Sequence, residues 1–360
     1  MHIDLKRACR RTASVAIAMT ITVGSPLWTA TSAAAAEVTL PPISVGAGLR
    51  TSFSNTDFDS SDEDISDFNI DSIQLHLSGS VTENIKLMFN TEYLQDADGS
   101  DDLTVLDAVA RFEYSDQFNI WAGRFLPPSD RANLYGGYYA NHWGVFRDGV
   151  QDGYPSQNGG RDDGVAYWGQ FGKIKLSAGL FDVPATIGDS DTLWAARAQI
   201  DLWDPEAGYY LNGTYYGEKD LLAFGVAAQG AGGNSAYSAD FLLEKKLANA
   251  GVVSLESEYA KYDGLGGYRG IESDGYYLLA GYLFPQVIGV GKFQILGKYG
   301  EATYKFAIGP DVDQETTELD LNYIIKTFNA RVSLYYIDTG FDPDVGADSK
   351  TYGLGLQVQL

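Results

Sequence analysis

Glu256 and Glu258 stand two residues apart. Paired carboxylates are the working groups of most glycoside hydrolases, so this pair is a first place to look for chemistry. Residues at i and i+2 of an extended strand share a face, however, and two acids at that spacing arise from alternation alone. Asp342-Pro343-Asp344-Val345-Gly346-Ala347-Asp348 places oxygen ligands as a calcium loop does, yet lacks the distal glutamate of an EF-hand. It reads as an acidic loop tip. The histidines, His2, His76 and His142, are scattered and make no zinc set. Cys9 is the single cysteine, and no G-x-S-x-G elbow is present. Neither a catalytic residue, a metal site nor a cofactor is expected. What remains is a set of strand charges and one strongly aromatic segment.

The elements that hold those charges alternate with a period of two. Thr317, Leu319, Leu321, Tyr323 and Ile325 oppose Glu318, Asp320, Asn322 and Lys326, with Ile324 the single violation. Ile85, Leu87, Phe89, Thr91 and Tyr93 oppose Lys86, Met88, Asn90 and Glu92. Trp194, Ala196, Ala198, Ile200 and Leu202 oppose Arg197, Gln199 and Asp201. A helix would spread these apolar residues around its circumference. The runs approach the roughly 9–11 residues of a tilted membrane strand, and their polar faces carry charges of both signs, as a watery lumen permits. The fold class expected is all-β, a transmembrane antiparallel β-barrel. Sixteen strands are counted between residues 43 and 360, with short turns at one end and long loops at the other. The two kinds of connection alternate correctly if Asp204–Glu218 is one long connection at the short-turn end. If Tyr209–Tyr216 is instead a further strand pair, the count is eighteen.

Alternation also sorts charge by face. Arg50, Arg111, Arg124, Arg197 and Arg331 fall on the polar face, as do Asp240, Glu244, Glu256, Glu258, Glu318 and Asp320. The longest loop, Pro127–Asp162, adds Arg131, Arg147 and Arg161 beside Asp130 and Asp148. It also contains Tyr135, Tyr138, Tyr139, Trp143 and Phe146. So aromatic a run is costly to leave in water, and loops longer than about 15 residues are usually functional when ordered. The loop is expected to fold inward, pack those rings on the wall and narrow the lumen. Arg50, Arg111, Arg124, Arg131, Arg147, Arg197, Arg331, Asp130 and Asp148 are the candidates for the constriction. Basic residues beside the loop and acids on the facing strands would set a transverse field, and charge rings set ion selectivity.

The segment Ala122-Gly123-Arg124-Phe125-Leu126-Pro127-Pro128-Ser129-Asp130-Arg131, leading into the loop, resembles the phosphate-selective porin family (porins O and P). Asp240-Phe241-Leu242-Leu243-Glu244-Lys245-Lys246-Leu247 resembles it more weakly. The resemblance implies a sixteen-stranded trimer with its third outer loop folded in, passing small hydrophilic solutes or ions through a water-filled channel. The arginine ladder of its phosphate-specific members has no residue-by-residue match in this chain. The sequence itself leaves open a plugged, structural or adhesive barrel, and more remotely a barrel enzyme.

Residues 1–36 combine Lys6, Arg7, Arg10 and Arg11, a mostly apolar run from Ala13 to Trp28, and Ala33–Ala36 before Glu37. This pattern predicts a secretory signal peptide, residues 37–360 forming the barrel domain. Without the four basic residues and Asp4 of that segment, the chain's 25 basic and 48 acidic residues become 21 and 47, net −26. Such a balance argues against nucleic acid as a partner. Much of the acid lies in predicted outer loops, at 57–67, 96–102, 311–315 and 342–348. The expected partners are therefore outer-membrane lipid and lipopolysaccharide. The apolar terminal strand Tyr352, Leu354, Leu356, Val358 and Leu360 resembles the segment that barrel-assembly machinery recognises.

Overall fold

The computed structural model describes residues 42–61, 64–95, 101–150, 160–182, 192–265 and 272–360. Residues 1–36, where a signal peptide is expected, lie outside the described residues, and the described residues all fall in one compact unit, Pro41–Leu360. Sixteen strands follow in order: β1 (Ile43–Phe58), β2 (Ile65–Ser80), β3 (Ile85–Gln95), β4 (Asp101–Ser115), β5 (Phe118–Phe125), β6 (Asp162–Phe171), β7 (Ile174–Phe181) and β8 (Leu193–Asp201). The second half comprises β9 (Leu221–Ala231), β10 (Asn234–Lys246), β11 (Val252–Asp263), β12 (Glu272–Ile288), β13 (Gly291–Lys305), β14 (Val312–Lys326), β15 (Ala330–Asp342) and β16 (Ser349–Gln359). One helix, α1 (Arg131–Tyr139), lies in the β5–β6 loop. Each strand pairs antiparallel with its sequence neighbours, and β1 pairs with β16 from Gly48↔Gln359 to Phe58↔Ser349. Closure leaves no sheet edge, the condition for a β structure to sit in lipid. Residues 202–220 contain no strand, so the count is sixteen, not eighteen.

Burial runs opposite to that of a soluble protein. On β14, Glu318, Asp320 and Asn322 are buried while Leu319 and Leu321 are exposed. The violation Ile324 points inward and packs with Val252 and Leu283. Outward rings form two bands. Phe53–Phe68 and Tyr336–Tyr352, each pair 4.8 Å apart, mark the long-loop end. Phe118–Tyr167 and Phe293–Tyr323 mark the short-turn end, at 5.8 and 5.0 Å. An apolar belt between two aromatic girdles is the outer surface of a membrane barrel.

Two β-bulges interrupt the wall away from its turns. Arg50 pairs with Ser72 and Thr51 with Ile70, which leaves Asp71 as the extra residue of β2. Asn90 pairs with Asp107 and Thr91 with Val105, which leaves Leu106 extra on β4. Bulges re-aim side chains and concentrate beside functional sites.

Candidate functional site: the lumen and its two inserted segments

The β5–β6 loop enters the lumen as expected. Asp130 caps α1, its carboxylate accepting from the Asn133 backbone N–H at 2.8 Å. Burial pushes this carboxyl up from its ordinary range, against the hydrogen bonds from Asn133. The helix breaks at Gly136 (φ 63°) and ends at Tyr139. Irregular backbone inside a barrel must find partners for every polar group, and the inward charges of the wall supply them. Arg331 donates to the carbonyls of Ala140 (2.8 Å), Asn141 (3.2 Å) and His142 (3.4 Å). Glu318 accepts from the Trp143 and Gly144 N–H groups at 3.0 and 2.6 Å, and Asp320 accepts from Trp143 N–H at 2.9 Å. Lys298 pairs with Asp148 at 2.6 Å. It also donates to His142 Nε2 at 3.0 Å, since an ammonium has no acceptor to offer. Burial first, then Lys298, Arg331 and Arg50, hold the His142 imidazole well below its usual range, so it is neutral.

The loop's rings have made-to-measure seats. The Tyr135 hydroxyl donates to Glu256 at 2.9 Å and that of Tyr138 to the Ser72 carbonyl at 3.1 Å. Tyr139 packs edge-on against Phe328, centroids 5.1 Å apart. Trp143 stacks on Tyr335 at 5.7 Å beneath the Arg50 guanidinium, 4.3 Å from its ring centroid. Inward glycines make the space. A Cβ on Gly355 would lie 2.5 Å from the Trp143 ring, and one on Gly48 would lie 2.7 Å from Tyr138.

A second segment enters from the other end. The β8–β9 connection is long, as the alternation of turns requires, but it too folds into the lumen. Tyr209 donates to the Leu126 carbonyl (2.7 Å) and Tyr210 to Asp107 (2.7 Å). Glu244 accepts from the Thr214 hydroxyl (2.6 Å) and the Gly217 N–H (2.7 Å). The two segments join directly: Leu211 N–H to Leu134 O at 3.2 Å, Gly213 N–H to Tyr139 O at 2.9 Å, and an Arg131–Glu206 ion pair. Burial raises the Glu206 carboxyl, but Arg131 outweighs it and holds the group down at about 2. Around Tyr209 the inner wall is aromatic: Trp121, Phe125 and Trp168 lie 4.8, 5.8 and 6.4 Å away.

These insertions leave a cavity of about 1010 Å³ between the loop and the β1–β4 wall. Arg50, Arg111, Arg147, Tyr135, Tyr138, Tyr139, Trp143 and Phe146 line it, all named by the sequence reading. Arg161, Glu92 and both bulge residues, Asp71 and Leu106, line it as well. Other candidates lie elsewhere. Arg124 is not in the lumen: Trp121 and Phe125 of β5 point in, so Arg124 points out and pairs with Asp163 at 2.7 Å. The assumption that polar means inward fails where the lumen holds an aromatic cluster. Arg131, Arg197, Arg331, Asp130 and Asp148 are fully or almost fully buried. Arg131 and Arg197 turn toward Asp240, Arg197 as a close ion pair. The acids Glu244, Glu256, Glu318 and Asp320 meet inserted backbone or tyrosine hydroxyls, so the expected acid wall across open water is instead a loop-anchoring wall. Asp344 accepts from the Gly346 N–H within its loop (2.7 Å) and Asp348 from the Phe341 N–H at the end of β15 (2.9 Å). Glu206 and Asp71 went unmarked in the sequence: Glu206 lies in the 204–218 connection, outside its strand-like Tyr209–Tyr216 part, and a bulge interrupts the period at Asp71.

No protein-family model matches the chain, and no curated protein matches it. Solved structures do. OprB of Pseudomonas putida superposes with a TM-score of 0.60 at 10% identity, covering 88% of this chain and 94% of its own. The anion-selective porin of Comamonas acidovorans gives 0.55 at 14% identity, covering 89% and 100%. OmpT of Vibrio cholerae, an outer-membrane protein in a trimer form, gives 0.52 at 12% identity, covering 88% and 99%. At these identities the likeness defines the fold: a closed sixteen-stranded barrel of the kind bacterial outer-membrane porins have. It is a likeness to porins at large, and the narrower resemblance to the phosphate-selective branch gains nothing from it.

Proposed function

We propose that the chain is an outer-membrane porin, passing small hydrophilic solutes or ions by passive diffusion, and not an enzyme. The observation that carries the reading is the cavity of about 1010 Å³ along β1–β4, bounded by the inserted loop and lined by charges of both signs. The apolar belt and aromatic girdles support a barrel seated in lipid, and residues 1–36 are read as the signal that exports it. Anion preference is the narrower part of the proposal, resting on Arg50, Arg111, Arg147 and Arg161 at the cavity; phosphate is one such anion. Assembly as a homotrimer, contact with lipopolysaccharide and recognition of the final strand by barrel-assembly machinery belong to the same reading. Planar-bilayer recording of the purified chain tests it: stable single-channel steps are expected, with a reversal potential in a salt gradient that favours anions. Absence of steps rejects the pore.

One observation favours a second reading. The two inserted segments meet inside the lumen at a fully buried ion pair. A plugged, structural barrel would share every other feature and would show no steps in the same recording.

A further inference from the structure

Most inward cations are engaged. Arg131, Arg197 and Arg331 turn to buried partners, and Arg161 lies 3.7 Å from Asp107. Arg147 differs. Its side chain is exposed, lines the cavity and forms no ion pair within 4.0 Å among the described residues, its charge acting on Glu318 only at longer range, while its carbonyl accepts from Gln314 at 2.8 Å. The preceding residue, Phe146, holds a left-handed backbone (φ 63°) that a bulky side chain rarely adopts, and lines the same cavity. Such strain persists at binding positions because the surroundings over-determine it. The cavity wall is mixed, with apolar Leu134, Val145, Leu211 and Met88 set among its charged and polar residues. Of the acids that share it, Asp71 accepts from Ser52 at 3.1 Å through one oxygen and leaves the other unpartnered, while Glu92 and Asp107 are committed to neighbours. Glu92 accepts from Ser72 (2.5 Å) and Gln74 (2.9 Å), and Asp107 from Tyr210 (2.7 Å) and Asn90 (2.8 Å).

A hydrated inorganic anion gains from a guanidinium but nothing from apolar wall, which withholds its water. A carboxylate attached to a flat apolar body uses both: charge-assisted hydrogen bonds to Arg147 and ring contact with Phe146. We propose that the channel selects aromatic carboxylates over small aliphatic or inorganic anions of the same charge, with Arg147 receiving the carboxylate and Phe146 the ring. This rests on the pore reading. The test is bi-ionic reversal potential in planar bilayers, with potassium benzoate against potassium acetate and chloride as reference. The benzoate-to-acetate permeability ratio is expected to exceed the ratio of their mobilities in water. Phe146→Gly removes the ring and also relieves the left-handed backbone, so it is expected to fold, keep its chloride steps and lower the ratio by about threefold. Phe146→Leu, which keeps bulk without the aromatic face, should fall between. Arg147→Ala should lower both anions relative to potassium. A wild-type ratio at or below the mobility ratio, or one unmoved by Phe146→Gly, with chloride steps intact, overturns the inference alone. A wild-type chain without chloride steps overturns the pore reading itself.

Discussion

Arg131 of the inserted loop and Glu206 of the β8–β9 connection form an ion pair with neither side chain exposed, at the point where segments from opposite ends of the barrel meet. Arg131 also donates to the Asn212 carbonyl at 3.0 Å, and Tyr215 and Gln199 donate to Glu206 at 2.9 and 2.8 Å. Arg131 Nε has no hydrogen bond and lies 3.6 Å from Asp240, but the pair's other groups are satisfied, which offsets much of its desolvation cost, whereas breaking it leaves an uncompensated charge. Glu206→Gln is therefore expected to destabilise the barrel by about 3–5 kcal/mol, measured by urea unfolding in detergent. The double variant Arg131→Met with Glu206→Leu should recover most of that loss. Equal losses for the single and double variants would show that the pair does not join the segments.

Two groups at these insertions set acid sensitivity, in separate windows. His142 is neutral when folded and has a folded pKa well below its unfolded value. The unfolded chain therefore binds the extra proton, and stability is full above about pH 6.5 and falls as pH drops below it. Glu206, held at about 2, keeps its contribution above the unfolded value near 4.5 and loses it as pH falls toward 2. Melting temperature followed from pH 7.5 to 5 should fall through the first window. His142→Gln, whose amide oxygen can still accept from Lys298, should flatten that part of the profile and leave the lower window in place.

The closed barrel was legible because alternation is local and repeated: β14 reads as it folds, including inward Ile324. Loop entry was legible from the density of rings between Tyr135 and Phe146. The roles of the charges were not. Arg331 and Glu318 stand on the correct face, but their partners are backbone groups nearly two hundred residues away in sequence, and strand period says nothing of them. Arg124 was misplaced because β5 turns Trp121 and Phe125 inward, onto rings of a segment read as a connection outside the lumen or a further strand pair. Asp71 and Leu106 reach the cavity through bulges, which break the period that was being read.

That misplacement yields a contrast between two arginines. Arg147 lines the cavity, and Arg124 is bound to Asp163 on the outer face. If Arg147 contributes to ion choice, Arg147→Ala should move the reversal potential toward cations, with Arg111→Ala acting in the same direction. Arg124→Ala should leave it unchanged, since a charge outside the wall does not face the permeant ion. A shift with Arg124→Ala equal to that of Arg147→Ala would place selectivity outside the cavity.

Gly355 offers the sharpest test of how the loop is seated. Its register partner on β15 is Ser333, and one turn of alternation away Gly353 faces Tyr335. The Trp143 ring occupies the room above Gly355, stacked on Tyr335 and capped by Arg50. A methyl placed there would lie 2.5–2.6 Å from three ring carbons, and the ring is held by both Tyr335 and Arg50, so the loop must yield and not the side chain alone. Gly355→Ala should cost about 1–3 kcal/mol through overpacking, and Gly355→Leu more. Both should shift Trp143 toward solvent, raise its access to an aqueous quencher, and add current noise as the Glu318 and Arg331 hydrogen bonds to the loop open and close. Because β16 pairs on both sides through its backbone, the barrel should still close. Trp143→Ala combined with Gly355→Leu should restore packing by filling the vacated space, an outcome expected only if the ring and the glycine are fitted to each other.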